Sequence, residues 1–273
     1  TTANVELAAA SGIVLLKKEE LDPLHTSTYG TGLLIKDALE YGCRKLYLFL
    51  GGSATNDLGF GIAAALGFEF FATSLVKINP SGGVLGQITH IKAPMNGMLE
   101  DVEITLLCDV NNPLFGPNGA AYVYAPQKGA DAAMVQQLDD GLRSSNAVVK
   151  RTFGRELSPV IGGGAAGGVA AGLYGLLGAK IQPGFSTIST LTDLETAIQK
   201  ADLVISGEGK LDQQSLAGKV VSGVAQWCKA HQKPLYLVVG TNELGRLAGA
   251  EEVFAVDEMA KSSADSMENA ARY

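Results

Sequence analysis

At 273 residues, 47% apolar and 18% charged, with 34 glycines, the chain has the composition of a folded α/β protein and not of a disordered or fibrous one, and its length fits about two domains of roughly 150 residues. A net charge of −7 gives no electrostatic reason to bind nucleic acid, whose recognition normally needs a basic stripe, so an anionic ligand would have to be held locally. No apolar run approaches the roughly 20 residues of a membrane span, and Cys43, Cys108 and Cys228, far apart and without CxxC spacing, speak against a disulfide framework or a zinc site and for a reducing, cytoplasmic compartment.

In chain order, the hydroxyl-rich Thr26–Thr31 precedes a helical pattern over Thr31–Tyr41 that ends at Gly42, a C-cap glycine. The apolar run Leu46–Leu50 has the length of a buried strand and passes directly into Gly51-Gly52-Ser53-Ala54-Thr55-Asn56-Asp57. Glycines here let backbone amides approach a ligand that a Cβ would exclude. The four polar residues after them exceed what one helix cap requires, and Asp57 stands where a metal or a hydroxyl could meet it. An Ala/Gly-rich helix over Leu58–Leu66 would aim its N-terminal amides at this loop.

From Gly67 to Pro183 the pattern changes to short strands, such as Phe68–Phe71 and Val102–Cys108, between Gly/Pro turns, followed by a polar helix over Ala130–Phe153. Asp109, Asn111 and Asn112 follow the second of these strands, where they offer oxygen ligands or form Asx turns before Pro113. Gln127 and Lys128 lie between turn residues just before the helix; the lysine either grips a carboxylate or phosphate or is simply solvated. The glycine run Gly162–Gly168 has no strand before it and so is not a dinucleotide fingerprint; close helix packing or a cleft-lining loop accounts for it better.

Beyond Gly184 the α/β rhythm returns, with a helix over Asp193–Lys200, a strand over Asp202–Ser206, a helix over Ser215–Ala230 and strands over Pro234–Gly240 and Glu252–Val256. Gly207-Glu208-Gly209-Lys210-Leu211-Asp212 reads as a second glycine loop after a strand, with carboxylates on both sides of a lysine. Lys219 resembles the end of a phosphate loop, but the upstream glycine and the following hydroxyl of a Walker A motif are absent. The three histidines are isolated, and no GxSxG motif supports a serine triad. Alternating strands and helices predict an α/β fold: a doubly wound, flavodoxin-like parallel sheet domain formed by 1–66 and 184–273, with 67–183 inserted as a second α+β domain. Both glycine loops would then lie beyond the carboxyl ends of strands, where such sheets bind ligands.

Seven segments, ELAAASG (Glu6–Gly12), TSTYGTG (Thr26–Gly32), GGSATND (Gly51–Asp57), DVNNPLFGPNGAA (Asp109–Ala121), PQKGA (Pro126–Ala130), GGGAAGG (Gly162–Gly168) and ADLVISGEGKLDQQSLAGKV (Ala201–Val220), occur in the same order as in the bacterial type I glycerate kinases, which the chain resembles along nearly its whole length. The resemblance implies a two-domain kinase that moves the γ-phosphoryl group of ATP to a hydroxyl of D-glycerate with Mg²⁺, and it is compatible with a homodimer. Family members open with a strand and an Asp-Ser-Phe-Lys-Gly stretch that is missing here; with no initiator Met before Thr1, the chain reads as lacking the family's N-terminal segment. On this reading Gly51, Gly52, Ser53, Thr55, Asn56, Gly207, Glu208, Gly209 and Lys219 hold ATP. Asp57, Asp109, Lys210 and Asp212 are catalytic, Asp109 and Glu208 bind the metal, and Gln127, Lys128 and Asn111 bind the substrate. The rival reading is a non-catalytic sugar-acid binding or regulatory module that shares the glycine loops.

Overall fold

Strands β1 (Thr2–Glu6) and β2 (Lys45–Phe49) pair in parallel, as do β2 and β6 (Glu103–Leu107) and β6 and β7 (Lys180–Gln182), giving a four-stranded sheet in the order β1-β2-β6-β7. The short runs β2 and β6 are buried along almost their whole length, as parallel strands covered on both faces must be. The short helix α1 (Ala8–Ser11) follows β1, and helices α2 (Tyr29–Glu40) and α3 (Phe60–Ala65) contribute Ile35, Leu39 and Ile62 to the core around Leu46, Leu48, Ile104 and Leu106. Strands β3 (Glu69–Phe71), β4 (Lys77–Ile78) and β5 (His90–Lys92) form a small antiparallel sheet. It joins α4 (Ala120–Tyr124) and α5 (Ala132–Phe153) in a second core that includes Phe60, Phe70, Ile91, Leu138 and Leu142. The long helix α5 starts where the Asp131 side chain accepts the Met134 N–H at 2.8 Å and stops at Gly154 with φ 70°, one capped end and one glycine stop.

This computed structural model describes residues 1–95, 97–216, 220–269 and 272, and its contacts divide the chain into two units, Thr1–Gln182 and Pro183–Tyr273. The second unit has its own parallel sheet in the order β10-β9-β8, from β8 (Val204–Leu211), β9 (Leu235–Asn242) and β10 (Glu252–Ala255). Helices α7 (Gly184–Leu191), α8 (Leu194–Lys200) and α9 (Val220–Ala230) belong to it, with Ile198, Val221, Val224 and Cys228 packed against Leu235, Leu237 and Val239. No helix among the described residues is long and apolar enough to cross a membrane.

Two expectations change. A boundary at 66/67 would cut through one sheet, because β2 pairs with β6, which lies inside the expected insert, while β8 to β10 form a sheet of their own. Neither parallel sheet reverses its strand order among the described strands. Strand pairing depends on long-range partners, which spacing along the chain does not reveal. The strand predicted to end at Ser206 also continues to Leu211, with Gly207 opposite Val238 and Glu208 opposite Val239. A Cβ on Gly207 would collide with the Val238 carbonyl oxygen, so this glycine serves strand pairing and not a loop.

The glycine run 162–168 leads into α6 (Ala165–Leu177), with Ala166, Gly167 and Gly168 at φ 54°, 69° and 93°. There Gly167 receives the Leu58 N–H on its carbonyl, and a Cβ on it would strike the Thr55 carbonyl oxygen. Gly167→Ala, which adds both a left-handed backbone penalty and a backbone collision, is expected to cost at least about 2 kcal/mol, read as a lowered urea midpoint with an unchanged slope.

Candidate active site

Gly51 and Asp109 each stand two residues past Phe49 and Leu107, the last paired residues of the adjacent parallel strands β2 and β6. Both line a cavity of about 400 Å³ at the carboxyl end of the first sheet, the usual ligand position in such sheets. The loop after β2 is pinned by an isolated bridge between Gly12 and Ser53, with Ile13 N–H to Gly52 O at 2.8 Å and Ala54 N–H to Ser11 O at 2.9 Å. Gly52 takes φ 72°, the left-handed conformation a glycine adopts without strain. The amides of Gly51, Gly52 and Ser53 donate to no protein acceptor among the described residues. Such consecutive free amides at a turn form an anion-binding concavity.

Lys128 enters the cavity from the single helical turn Pro126–Lys128 that follows α4. It is 2% exposed, and its Nζ donates to Ser53 Oγ at 2.8 Å and to the Thr55 carbonyl at 2.7 Å. Burial pushes its pKa down to about 7, against the pull of the Asp57 charge. Gln127, Cys108, Tyr124, Ile13 and Ala165 complete much of the lining. The Tyr124 hydroxyl donates to Asn112 Oδ1 at 2.6 Å, and Asn112 Nδ2 holds the Asn118 carbonyl at 2.9 Å. Burial raises the pKa values of both Tyr124 and Cys108, so at neutral pH the thiol is a protonated wall and not a nucleophile.

The polar segment after β2 therefore divides. Gly51, Gly52 and Ser53 face the cavity, whereas Thr55, Asn56 and Asp57 are buried beneath the loop and do not line it. Asp57, expected at the reacting atoms, instead accepts from the Thr28 N–H (2.7 Å), the Thr28 hydroxyl (2.9 Å), Gly59 N–H (3.1 Å), Gly61 N–H (3.2 Å) and the Ser27 hydroxyl (3.3 Å). It ties the start of α2 to the start of α3, a capping role in which its pKa is raised by burial against those donors. Thr55 Oγ1 and both amide atoms of Asn56 are buried without a partner among the described residues, and only the Thr55 carbonyl reaches the site, through Lys128. Asn111 is exposed and outside the cavity lining; its neighbour Asn112 does the local work by holding Tyr124.

In the second unit, Gly207, Glu208, Gly209 and Lys210 lie within β8 and not beyond it. Lys210 Nζ is 2.9 Å from Glu243 and 3.9 Å from Asp212, and the Glu243 hydrogen bond raises its pKa. Lys210, expected among the catalytic groups, is thus the cation of an exposed ion pair. Glu208 keeps one buried carboxylate oxygen without a partner among the described residues, and Asp212 directly follows the end of β8. Lys219 lies outside the described residues.

The profile of the Glycerate kinase family matches residues 1–273. The chain belongs to the glycerate kinase family. A glycerate kinase of Halalkalibacterium halodurans is 41% identical over 253 residues, 92% of this chain and 66% of the relative, and glycerate 2-kinase of Escherichia coli is 41% identical over 260 residues, 93% and 68%. A crystal structure from Salmonella typhimurium LT2, provisionally assigned as glycerate kinase 2, superposes with a TM-score of 0.81 at 37% identity and covers 93% of this chain and 67% of that one. The chain spans about two thirds of the length of the curated relatives it matches. Membership of this kinase family makes the buried Lys128 and the free amides after β2 intelligible, since both are groups that hold anions. Magnesium in nucleotide-dependent phosphoryl transfer takes one or two carboxylates and fills its shell with phosphate oxygens and water. Asp109, a carboxylate on the cavity wall, suits that ion; a cluster of three or more His, Cys, Asp or Glu able to hold a metal unaided is absent among the described residues.

Proposed function

We propose that the protein phosphorylates a hydroxyl of D-glycerate at the expense of ATP, giving phosphoglycerate, and that the cavity at the end of β2 and β6 is where the acceptor meets the phosphoryl group. One observation carries this reading: a nearly fully buried cation, Lys128, lines the same cavity as a run of free amides and an exposed carboxylate. Phosphoryl transfer asks a protein chiefly for positioning and charge compensation, and this is the equipment present. Lys128 and Gln127 hold the substrate carboxylate, and the amides of Gly51 to Ser53 receive phosphate oxygens. Asp109 accepts the hydroxyl proton. When magnesium is bound it neutralises phosphate charge, with Asp109 as the carboxylate of this cavity that would hold it.

An ADP-release assay with product identification by phosphorus NMR tests the reaction and separates it from a binding module, which would take up glycerate without consuming ATP. Asp109 is exposed, so Asp109→Asn should leave the melting temperature within a few degrees and lower kcat by about 100-fold or more. Full turnover by a folded Asp109→Asn protein would remove this carboxylate from the mechanism.

A further inference from the structure

We infer that Ser53 and Lys128 form a nucleophile–base pair, so that Ser53 Oγ takes acyl groups from small activated esters that enter the cavity. The two residues are 75 positions apart and meet at 2.8 Å. Lys128 Nζ is oriented by a second fixed bond, to the Thr55 carbonyl at 2.7 Å. A nucleophile, a base in contact with it and a third group that aims the base are the parts of the serine–histidine–aspartate arrangement, and serine–lysine versions use the same logic. The remaining requirement is a set of donors for the oxyanion. The amides of Ser53 itself and of Gly51 and Gly52 are without protein acceptors among the described residues, and all three residues line the cavity. Burial of Lys128, which holds its pKa near 7, keeps a useful fraction of the amine unprotonated at neutral pH, as a general base must be.

The step balances within the pair and the ester. The Lys128 lone pair takes the Ser53 hydroxyl proton as Oγ bonds to the ester carbonyl carbon. The bond to the leaving oxygen then breaks, and that oxygen receives the proton from Lys128. The products are a Ser53 acyl ester and an alcohol; water, deprotonated by the same amine, later releases the acid. Neither ATP nor glycerate takes part, so this inference does not depend on the kinase reading.

The test is incubation of the purified chain with p-nitrophenyl acetate, with p-nitrophenolate release followed optically and the acetylated residue mapped by mass spectrometry. The expected result is a mass increase of one acetyl group on Ser53, with release accelerating as pH rises through about 7. Ser53→Ala should lower release at least tenfold while keeping the far-ultraviolet circular dichroism and melting temperature of the parent. Lys128→Arg, always cationic, should lower it similarly. Acetyl on the Lys128 amine, unchanged release in folded Ser53→Ala, or release that does not rise across this pH range would each overturn the inference.

Discussion

Lys128→Met is expected to lower kcat/KM for glycerate phosphorylation by about 100- to 1,000-fold, the range seen when one preorganised charge-stabilising donor is removed. The loss should not be recovered by Lys128→Arg. At 2% exposure, with Nζ held by Ser53 Oγ and the Thr55 carbonyl, the site presents two single acceptors to a compact ammonium, a pattern that a planar guanidinium fork does not match. Proton linkage adds a sign that mere misfolding would not produce. With a native pKa of about 7 against the ordinary 10.5, the unfolded chain binds more protons than the native one between these values, so Lys128 makes stability rise with pH across that window. The methionine variant lacks this contribution. The difference in unfolding free energy, wild type minus variant, should therefore shift in favour of the wild type from pH 7 to pH 10. Activity should move the other way: the amine neutralises as pH rises through 7 and no longer balances an anion, so kcat/KM of the wild type should fall there. Urea titrations of both proteins at pH 6, 8 and 10, with kcat/KM at the same values, check both signs.

The sequence makes the elements legible where side-chain periodicity is strong. The helices around Tyr29–Glu40 and Ala132–Phe153 and the strands Lys45–Phe49 and Glu103–Leu107 fall within a few residues of their expected places, because each carries a complete apolar face or a recognisable stop. Strand β1 and helix α7 are not among the expected elements, and strand β8 is expected to stop at Ser206. Its alternation of Gly207, Glu208, Gly209 and Lys210 looks like a turn, and only the neighbouring strand, whose Val238 carbonyl leaves no room for a side chain opposite it, makes it a strand. At the site, Asp109, Gln127, Lys128 and the Gly51–Ser53 amides are all visible as candidates, since short polar groups beyond apolar strands are conspicuous. What the sequence hides is which of them share a space. GGSATND reads as one functional cluster, yet after Ser53 the chain turns inward, so that Thr55, Asn56 and Asp57 fall to 1% exposure or less. Small polar residues look alike whether they meet a ligand or a helix terminus. The partner of Lys128 was equally concealed, since nothing local to Pro126–Ala130 points to Ser53.

Asp57→Ala is expected to remove the fold and not merely the activity. The carboxylate is fully buried and takes three backbone N–H groups, those of Thr28, Gly59 and Gly61, together with the hydroxyls of Thr28 and Ser27. Alanine leaves these donors without an acceptor at a point water does not reach, and each orphaned buried donor costs about 1–3 kcal/mol. For the three amides alone the total is on the order of 3–9 kcal/mol, comparable with the roughly 5–15 kcal/mol that holds a typical domain together. Asn at this position keeps one acceptor oxygen but turns its NH2 toward groups that themselves donate, so Asp57→Asn should be destabilised by less than alanine and still by several kcal/mol. The Thr28 hydroxyl gives the contrast. It donates to Asp57 and accepts the Ile62 N–H at 3.0 Å, so Thr28→Val should break the same junction at another link. It should lower the urea midpoint in the same direction by a smaller amount, about 1–3 kcal/mol, and the double variant Thr28→Val/Asp57→Asn should cost less than the sum of the singles, because the pair shares one network. An Asp57→Ala protein that melts within a few degrees of the parent yet has lost turnover would reverse the assignment and place this carboxylate at the reacting atoms after all.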